Sequence, residues 1–208
     1  MRRSTLEAVT LAIVAGIADA VGYLSMGGVF AANMTGNTVL AGIAVAQRDY
    51  PGSWHHLAPL LAFFVGAVLS RLMLRLSGQP TLGLLIEALV IAGLGFLPLA
   101  PEPQVLILAV AMGIQASAIT HFEGVALSTV VVTSSLARTA DALADRCTGH
   151  RAQSALSAIA KPWLLAFTWT GYLVGAVAGA WLVTLVRWPL LVPAALLGLL
   201  LLLLARRR

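Results

Sequence analysis

The chain has 208 residues, of which 60% are apolar and 10% are charged, and its formal net charge is +5. This composition excludes an ordinary soluble domain and is typical of a protein that crosses a membrane several times. Because no Pro-rich or Ser-rich linker divides the sequence, we expect residues 1–208 to form a single integral membrane domain.

Six apolar stretches approach the length of about 20 residues that a helix needs to cross about 30 Å of hydrocarbon. We therefore expect an all-α fold, a polytopic bundle of six membrane-spanning helices. The predicted spans cover 6–27, 55–76, 80–99, 104–122, 157–186 and 188–205.

The first predicted span is interrupted by a polar motif. Glycines at 27 and 28 are followed by the run Asn33-Met34-Thr35-Gly36-Asn37-Thr38, and a second apolar stretch continues to Ala46. Glycine permits the backbone angles that stop a helix, and Asn and Thr can replace the missing backbone hydrogen bonds. We expect the helix to unwind here and to restart near Thr38. The alternative is a polar connection that lies at the membrane surface.

The second half of the chain repeats this pattern. Residues 113–144 again read as an apolar helix, a polar break and a second apolar stretch, and the break contains Thr133, Ser134 and Ser135. Each copy is followed by two further apolar segments. An odd number of spans in each copy turns the second copy upside down, so we expect two inverted three-helix repeats, about 5–100 and 103–206.

The two breaks are the predicted binding site for a solute. Their backbone N–H groups, amides and hydroxyls would face a shared gap near the middle of the membrane. The residues assigned to this site are Asn33, Thr35, Gly36, Asn37, Thr38, Gln115, Thr133, Ser134 and Ser135, with Gln115 as the second-copy counterpart of Asp19.

Two acidic residues lie within predicted spans and are candidates for coupling transport to a proton or a cation. Asp19 lies midway along the first span and Glu87 lies within the third. An ionised carboxylate at such a depth is costly, so each should face the interior of the bundle. For Asp19 the alternative is a structural acid that is protonated or paired with Tyr23. For Glu87 it is an ion pair with Arg71 or Arg75 at the helix end.

Small residues recur at intervals of four in two spans. Gly171, Gly175 and Gly179 form one line, and Ala62, Gly66 and Ser70 form the matching line in the first copy. Such lines let helix backbones approach closely. We favour close packing within one bundle; the alternative is a homodimer interface through Gly171, Gly175 and Gly179.

The basic residues predict the orientation of the chain. With six spans and a cytoplasmic N-terminus, only Arg48 and Arg187 lie outside, which satisfies the positive-inside rule. Both termini are then cytoplasmic, and the location is the cell inner membrane with the lipid bilayer as partner. Because the charges trace the cytoplasmic rim, nucleic-acid binding is not expected.

The chain resembles the YoaK-like family of six-span bacterial inner-membrane proteins of unknown function. The resemblance rests on the runs 16–23 (GIADAVGY), 27–30 (GGVF), 34–38 (MTGNT) and 113–116 (GIQA). It implies a membrane location and a six-span layout, but no substrate. Ser134 and Ala116 stand where the family typically shows Gly and often shows Asn.

These observations predict a small secondary transporter or permease for a small polar or anionic solute. The alternatives are a passive channel of the same architecture and a non-transporting membrane assembly protein or sensor. An enzyme is not expected, since the sequence contains no zinc motif, Ser-His-Asp set or phosphate loop. No catalytic residue, metal site or cofactor is assigned.

Overall fold

The computed structural model describes residues 3–118, 121–122, 125–126, 140, 144 and 162–206. The regular secondary structure of this part of the chain is helical, with one exception. Two short strands, β1 (His121–Phe122) and β2 (Val125–Ala126), form an antiparallel pair that was not predicted. The helices are α1 (Arg3–Ser25), α2 (Met34–Ala46), α3 (Tyr50–Ser77), α4 (Pro80–Phe96), α5 (Pro101–Ala118), α6 (Pro162–Leu185) and α7 (Leu191–Ala205).

Local capping explains the bounds of the longest helix, α3. The side chain of Asp49 accepts the N–H of Gly52 at 3.0 Å, so the helix begins at Tyr50 and not at the predicted residue 55. Gly78 ends it in the left-handed conformation, with φ of 66°. In the second half, α5 ends at Ala118, before the predicted residue 122.

Three helices within the described residues are long and apolar enough to cross a membrane: Thr5–Ser25, Tyr50–Ser77 and Leu164–Leu185. The segments Met34–Ala46, Thr81–Phe96 and Leu191–Ala205 are apolar but shorter. A helical membrane protein is therefore confirmed. The number of six spans stays a prediction.

The line of glycines on α6 packs against α1 of the same chain. A Cβ atom added to Gly175 would overlap the carbonyl oxygen of Ile13, and one added to Gly179 would lie 2.9 Å from the backbone of Ile17. The predicted close packing within one bundle is confirmed. A homodimer through these glycines would have to displace α1, so this line does not offer a free interface.

The matching line on α3 packs in the same way against α5. Gly66 lies against the carbonyl oxygen of Val110, as Gly175 lies against that of Ile13. Val110 follows Ile13 by 97 residues, and Gly175 follows Gly66 by 109. The two helix pairs, α1 with α6 and α3 with α5, thus use equivalent residues.

A second set of contacts keeps this register. Gly16 meets the backbone of Tyr172 and Ala176 on α6, and Gly113 meets that of Phe63 and Ala67 on α3. The spacing is again 97 residues between the glycines and 109 between their partners. Helix α1 of the first half therefore packs on α6 of the second half, and α5 of the second half packs on α3 of the first.

The core lies among α1, α4, α5, α6 and α7 and is built from apolar side chains such as Leu11, Leu84, Leu108, Leu165 and Leu197. The long helices α3 and α6 instead leave large apolar side chains exposed on their outer faces. These include Leu61, Phe64, Val65, Leu72, Val174, Val177 and Trp181.

Candidate functional site

The predicted break in the first span is present. Residues 26–33 are not helical, and Gly27 and Gly28 adopt left-handed angles with φ of 83° and 74°. The N–H of Gly28 bonds to the carbonyl oxygen of Tyr23 at 3.1 Å and so closes the end of α1. The new helix begins at Met34, so the prediction of a restart near Thr38 is wrong.

After the glycines the chain turns back along α1 towards Asp19. One carboxylate oxygen of Asp19 accepts the N–H of Ala32 at 2.6 Å and that of Asn33 at 3.1 Å. Asp19 lies six residues before Ser25, which corresponds to about 9 Å along the helix axis. The chain therefore re-enters the bundle, and α2 begins about two turns below the end of α1.

The second oxygen of Asp19 is held by α6. The hydroxyl of Tyr172 donates to it at 2.5 Å, and Asp19 is only 2% exposed. The predicted pairing with Tyr23 is wrong, since the Tyr23 ring is 45% exposed and stacks on Phe30 with centroids 4.9 Å apart. Asp19 thus joins α1, the break and α6 through three hydrogen bonds.

Asn37 fixes the outer half of the break. Its side-chain oxygen accepts the N–H of Phe30 at 2.9 Å, and its amide nitrogen donates to the carbonyl oxygen of the same residue at 2.8 Å. Asn37 is completely buried. This pair of bonds supplies one residue of the loop with the partners that a helix would otherwise give it.

Asn33 and Gly36 complete the start of α2. The side chain of Asn33 accepts the N–H of Gly36 at 3.1 Å, which is the usual N-cap bond. A Cβ atom at Gly36 would lie 2.9 Å from the ring of Phe30 and 3.0 Å from the amide of Asn33, so glycine is needed for this close approach. The predicted site residues Asn33, Gly36 and Asn37 are therefore brought together.

The two threonines of the motif have different surroundings. The hydroxyl of Thr38 donates to the carbonyl oxygen of Met34 at 2.8 Å, and both Thr35 and Thr38 are exposed. The Thr35 hydroxyl has no hydrogen-bond partner among the described residues. The asparagines of the motif therefore build the break, while Thr35 offers a polar group that a solute could contact.

The break is also tied to α3. The ring nitrogen Nε2 of His55 lies 2.9 Å from the carbonyl oxygen of Gly27. The two residues are 28 positions apart, and no local pattern in the sequence points to this contact. Tyr172 was missed for the same reason, because it lies 153 residues after Asp19.

Gln115 is buried but does not occupy the position equivalent to Asp19. Its amide nitrogen donates to the carbonyl oxygen of Leu11 at 3.1 Å, and its side-chain oxygen has no partner in the described part of the chain. The spacing of 97 residues places Ala116, not Gln115, opposite Asp19, and the spacing of 109 places Phe63 opposite Tyr172. The predicted counterpart is corrected accordingly.

Thr133, Ser134 and Ser135 lie outside the described residues.

Glu87 is completely buried in α4. Neither carboxyl oxygen has a hydrogen-bond partner among the residues that the structure describes. The alternative of an ion pair is wrong, because Arg71 and Arg75 are exposed and do not contact it. Glu87 and Asp19 are thus both buried acids, but only Asp19 has hydrogen-bond donors around it.

Two cavities lie at opposite ends of the contact between α4 and α7. One, of about 270 Å³, is lined by Gln79, Leu85 and Leu204, among others. The other, of about 490 Å³, extends from Val21 and Leu94 to Arg187, whose guanidinium lies 5.3 Å from the ring centroid of Trp188. Neither of these two cavities is lined by Asp19, Asn33 or Asn37.

Within the described ranges, no group of three or more His, Cys, Asp or Glu residues could hold a metal ion.

Comparison with known proteins places the chain in a family. Residues 8–203 match the family described as "Protein of unknown function (DUF1275)". The chain is also 33% identical, over 155 residues, to "UPF0700 transmembrane protein YoaK" of Bacillus subtilis (strain 168), an alignment that covers 69% of this chain and 68% of the relative. No solved structure matches the chain. The chain therefore belongs to the YoaK-like family of transmembrane proteins, whose function is unknown.

Proposed function

We propose that this chain is a small permease of the cell inner membrane that carries a small polar or anionic solute past the re-entrant break. The observation that carries the proposal is the bond between Asp19 and the N–H groups of Ala32 and Asn33. It holds non-helical backbone about 9 Å inside the end of α1, judged from the helical rise. Such backbone survives in a membrane only inside protein or beside a water-filled space.

The start of α2 supplies the polar groups of this pathway. A helix that begins within the membrane directs its first N–H groups and a partial positive charge into the bundle, as the half-helices of many transporters do. Thr35 stands in this first turn with an exposed side chain. Asn33, Gly36 and Asn37 shape the turn, and Thr133, Ser134 and Ser135 are proposed to supply the equivalent turn of the second half.

The proposed architecture is two inverted three-helix repeats with six spans. The shared register of the glycine contacts supports it, since Gly16 packs on α6 and Gly113 packs on α3, in each case a long helix of the other half. The directions of the helices agree as well. Helices α1 and α6 run parallel, because Val9, Ile13 and Ile17 meet Gly171, Gly175 and Gly179 in that order. Parallel packing across the halves is expected when the second copy is inverted.

The proposed orientation has both termini in the cytoplasm. It follows from the positions of the arginines, with Arg48 and Arg187 on the outer side and Arg71, Arg75 and Arg206 on the inner side. The proposal includes no enzymatic step, metal or cofactor, and it does not require a second copy of the chain.

A non-transporting membrane assembly protein or sensor is the second candidate, and one observation favours it. Asp19 and Asn37 are buried, and their side-chain atoms are occupied by Tyr172 and by the backbone of the break. A break that only stabilises a fold would look like this. In a permease, the same bonds form the rigid wall of the pathway and leave Thr35 to meet the solute.

A flux assay on purified protein in liposomes distinguishes the candidates. Uptake is measured for radiolabelled amino acids, dicarboxylates, inorganic phosphate and small sugars, with and without a proton gradient. A permease gives uptake above empty liposomes for at least one solute, and Thr35→Val lowers it several-fold while thermal unfolding is unchanged. Uptake that ignores the proton gradient indicates a passive channel. Background uptake for every solute rejects transport.

Thr38→Val is the matched control, because its hydroxyl already bonds to the carbonyl oxygen of Met34. It removes the same atoms from the same helix and is expected to leave uptake within about twofold, a difference below 0.5 kcal/mol. An equal loss for both variants would indicate a general effect on α2 and would contradict the role of Thr35.

A further inference from the structure

Glu87 is a buried acid whose carboxyl oxygens have no hydrogen-bond partner among the described residues. It lies seven residues after Pro80 and nine before Phe96, which is about 10 Å and about 13 Å from the two ends of α4. It shares the buried face of this helix with Leu84 and Ile91, both of them 0% exposed. The carboxyl group therefore lies near the middle of the bundle in an apolar environment.

No charged group among the described residues faces Glu87. Helix α4 carries no other ionisable side chain, and α7 carries none between its bounds. On α5 the acid Glu102 lies exposed in the first turn, and on α3 the basic residues are His55, His56, Arg71 and Arg75. None of these groups bonds to the carboxyl oxygens. A carboxylate that is ionised in such a place costs several kcal/mol.

Asp19, a second buried acid, has the hydrogen-bond donors that an ionised carboxylate needs. Its two oxygens accept three hydrogen bonds, from Ala32, Asn33 and Tyr172. Hydrogen bonds of this kind stabilise the charged form of a carboxylate. Glu87 lacks them in the described part of the chain, so a proton is the simplest way to remove its charge.

We propose that Glu87 is an intramembrane proton-binding site, that it carries a proton in the conformation described, and that it couples solute movement to protons. The last part of this statement rests on the proposed function. The geometry favours a proton over a metal cation, because a single carboxyl group can hold a proton by itself. Metal cations such as Ca²⁺ or Mg²⁺ require about six oxygen ligands, and the residues around Glu87 on α4 are Leu84, Ala88 and Ile91.

Two cavities lie near the two ends of α4. Leu85, which lines the smaller cavity, precedes Glu87 by two residues, and Leu94, which lines the larger one, follows it by seven. These separations correspond to about 3 Å and about 10 Å along the helix axis. Leu94 lies two turns along the same face of α4 as Glu87, whereas Leu85 is 45% exposed on the opposite face, so the larger cavity is the one on the side of Glu87.

Chemical labelling tests the proton directly. A hydrophobic carbodiimide reacts with a protonated carboxylic acid in an apolar environment and leaves an N-acylurea that mass spectrometry locates. In purified full-length protein we expect labelling of Glu87 that declines as the pH is raised, and no labelling of Asp19. The infrared carbonyl band of a protonated acid should be present in the wild type and lost in Glu87→Gln.

Three results would overturn the proposal. The first is absence of both the label and the infrared band at every pH. The second is protection of Glu87 by NaCl at constant pH, which would indicate a cation site. The third is an unchanged infrared band in Glu87→Gln, which would place the protonated acid elsewhere. Glu87→Gln is expected to fold, because a neutral amide replaces a neutral acid of the same shape; its thermal unfolding checks this.

Transport measurements distinguish the proton-binding proposal from the proposed permease function. In liposomes, Glu87→Gln should retain solute exchange but lose accumulation driven by a proton gradient. If the wild type moves no solute while Glu87 is labelled as expected, the permease is rejected and the proton-binding site stands. If solute accumulates equally in the wild type and in Glu87→Gln, the coupling role is rejected.

Discussion

The hydroxyl of Tyr172 donates to the carboxylate of Asp19 at 2.5 Å, and this bond joins α6 of the second half of the chain to α1 of the first. The same carboxylate holds Ala32 and Asn33 of the break through its other oxygen. One side chain thus positions the re-entrant segment against the interface between the two halves. The contact spacings of 97 and 109 residues lead from Asp19 and Tyr172 to Ala116 and Phe63, whose side chains cannot form such a bond.

Asp19→Ala should lower stability strongly. It leaves the buried N–H group of Ala32 and the partly buried N–H of Asn33 and hydroxyl of Tyr172 without an acceptor, at about 1–3 kcal/mol for each group. Tyr172→Phe removes one donor only and should cost about 1–2 kcal/mol. Thermal unfolding of the purified protein in detergent gives both values. Equal midpoints for Asp19→Ala and the wild type would show that Asp19 does not hold the break.

Asn37→Ala should destabilise the non-helical segment 26–33 and leave α1 folded. Phe30 then loses the partners of both its N–H and its carbonyl oxygen, and the expected cost is about 2–4 kcal/mol. Hydrogen exchange measured by mass spectrometry should rise in residues 26–37 and stay unchanged in α4. The control is Thr38→Ala, which removes an exposed bond within one helix. Faster exchange in the control as well would contradict a special role of Asn37.

Gly175→Ala should destabilise the bundle, because the new Cβ atom overlaps the carbonyl oxygen of Ile13. Overpacking of this kind costs about 1–3 kcal/mol. Gly198→Ala is the matched control, since no atom lies within 4 Å of its Cβ position. There alanine should be neutral or stabilise the helix by up to about 1 kcal/mol. The two substitutions are thus expected to shift the unfolding temperature in opposite directions.

The orientation can be tested with single cysteines after Cys147→Ser. Arg48→Cys and Arg187→Cys should react with a membrane-impermeant maleimide in intact cells, because both positions are expected outside. Arg75→Cys and Arg206→Cys should react only after the membrane is opened. Labelling of position 75 in intact cells would contradict the six-span layout.

The sequence predicted the features that depend on local chemistry. The glycines at 27 and 28, together with Asn33, predicted where α1 stops, because left-handed glycine and an N-cap act within a few residues. The intervals of four residues between small side chains, in the line that contains Gly66 and in the line that contains Gly175, predicted close helix packing. The restart of the helix was placed four residues too late, because the sequence does not distinguish Asn33 from Asn37 as the N-cap; only the bond from Asn33 to Gly36 does so.

The tertiary structure alone decided the partners of the polar groups. Asp19 is bonded to Tyr172, which lies 153 residues away, and Gly27 to His55, which lies 28 residues away. Gln115 is bonded to Leu11 across 104 residues. No pattern within a single helix predicts such contacts. The same holds for the two buried acids. Their side chains look alike in the sequence, but among the described residues Asp19 has three hydrogen-bond donors and the carboxyl oxygens of Glu87 have none. The sequence of a membrane helix is enough to predict that an acid within it is buried. Which residues surround that acid depends on how the helices pack together.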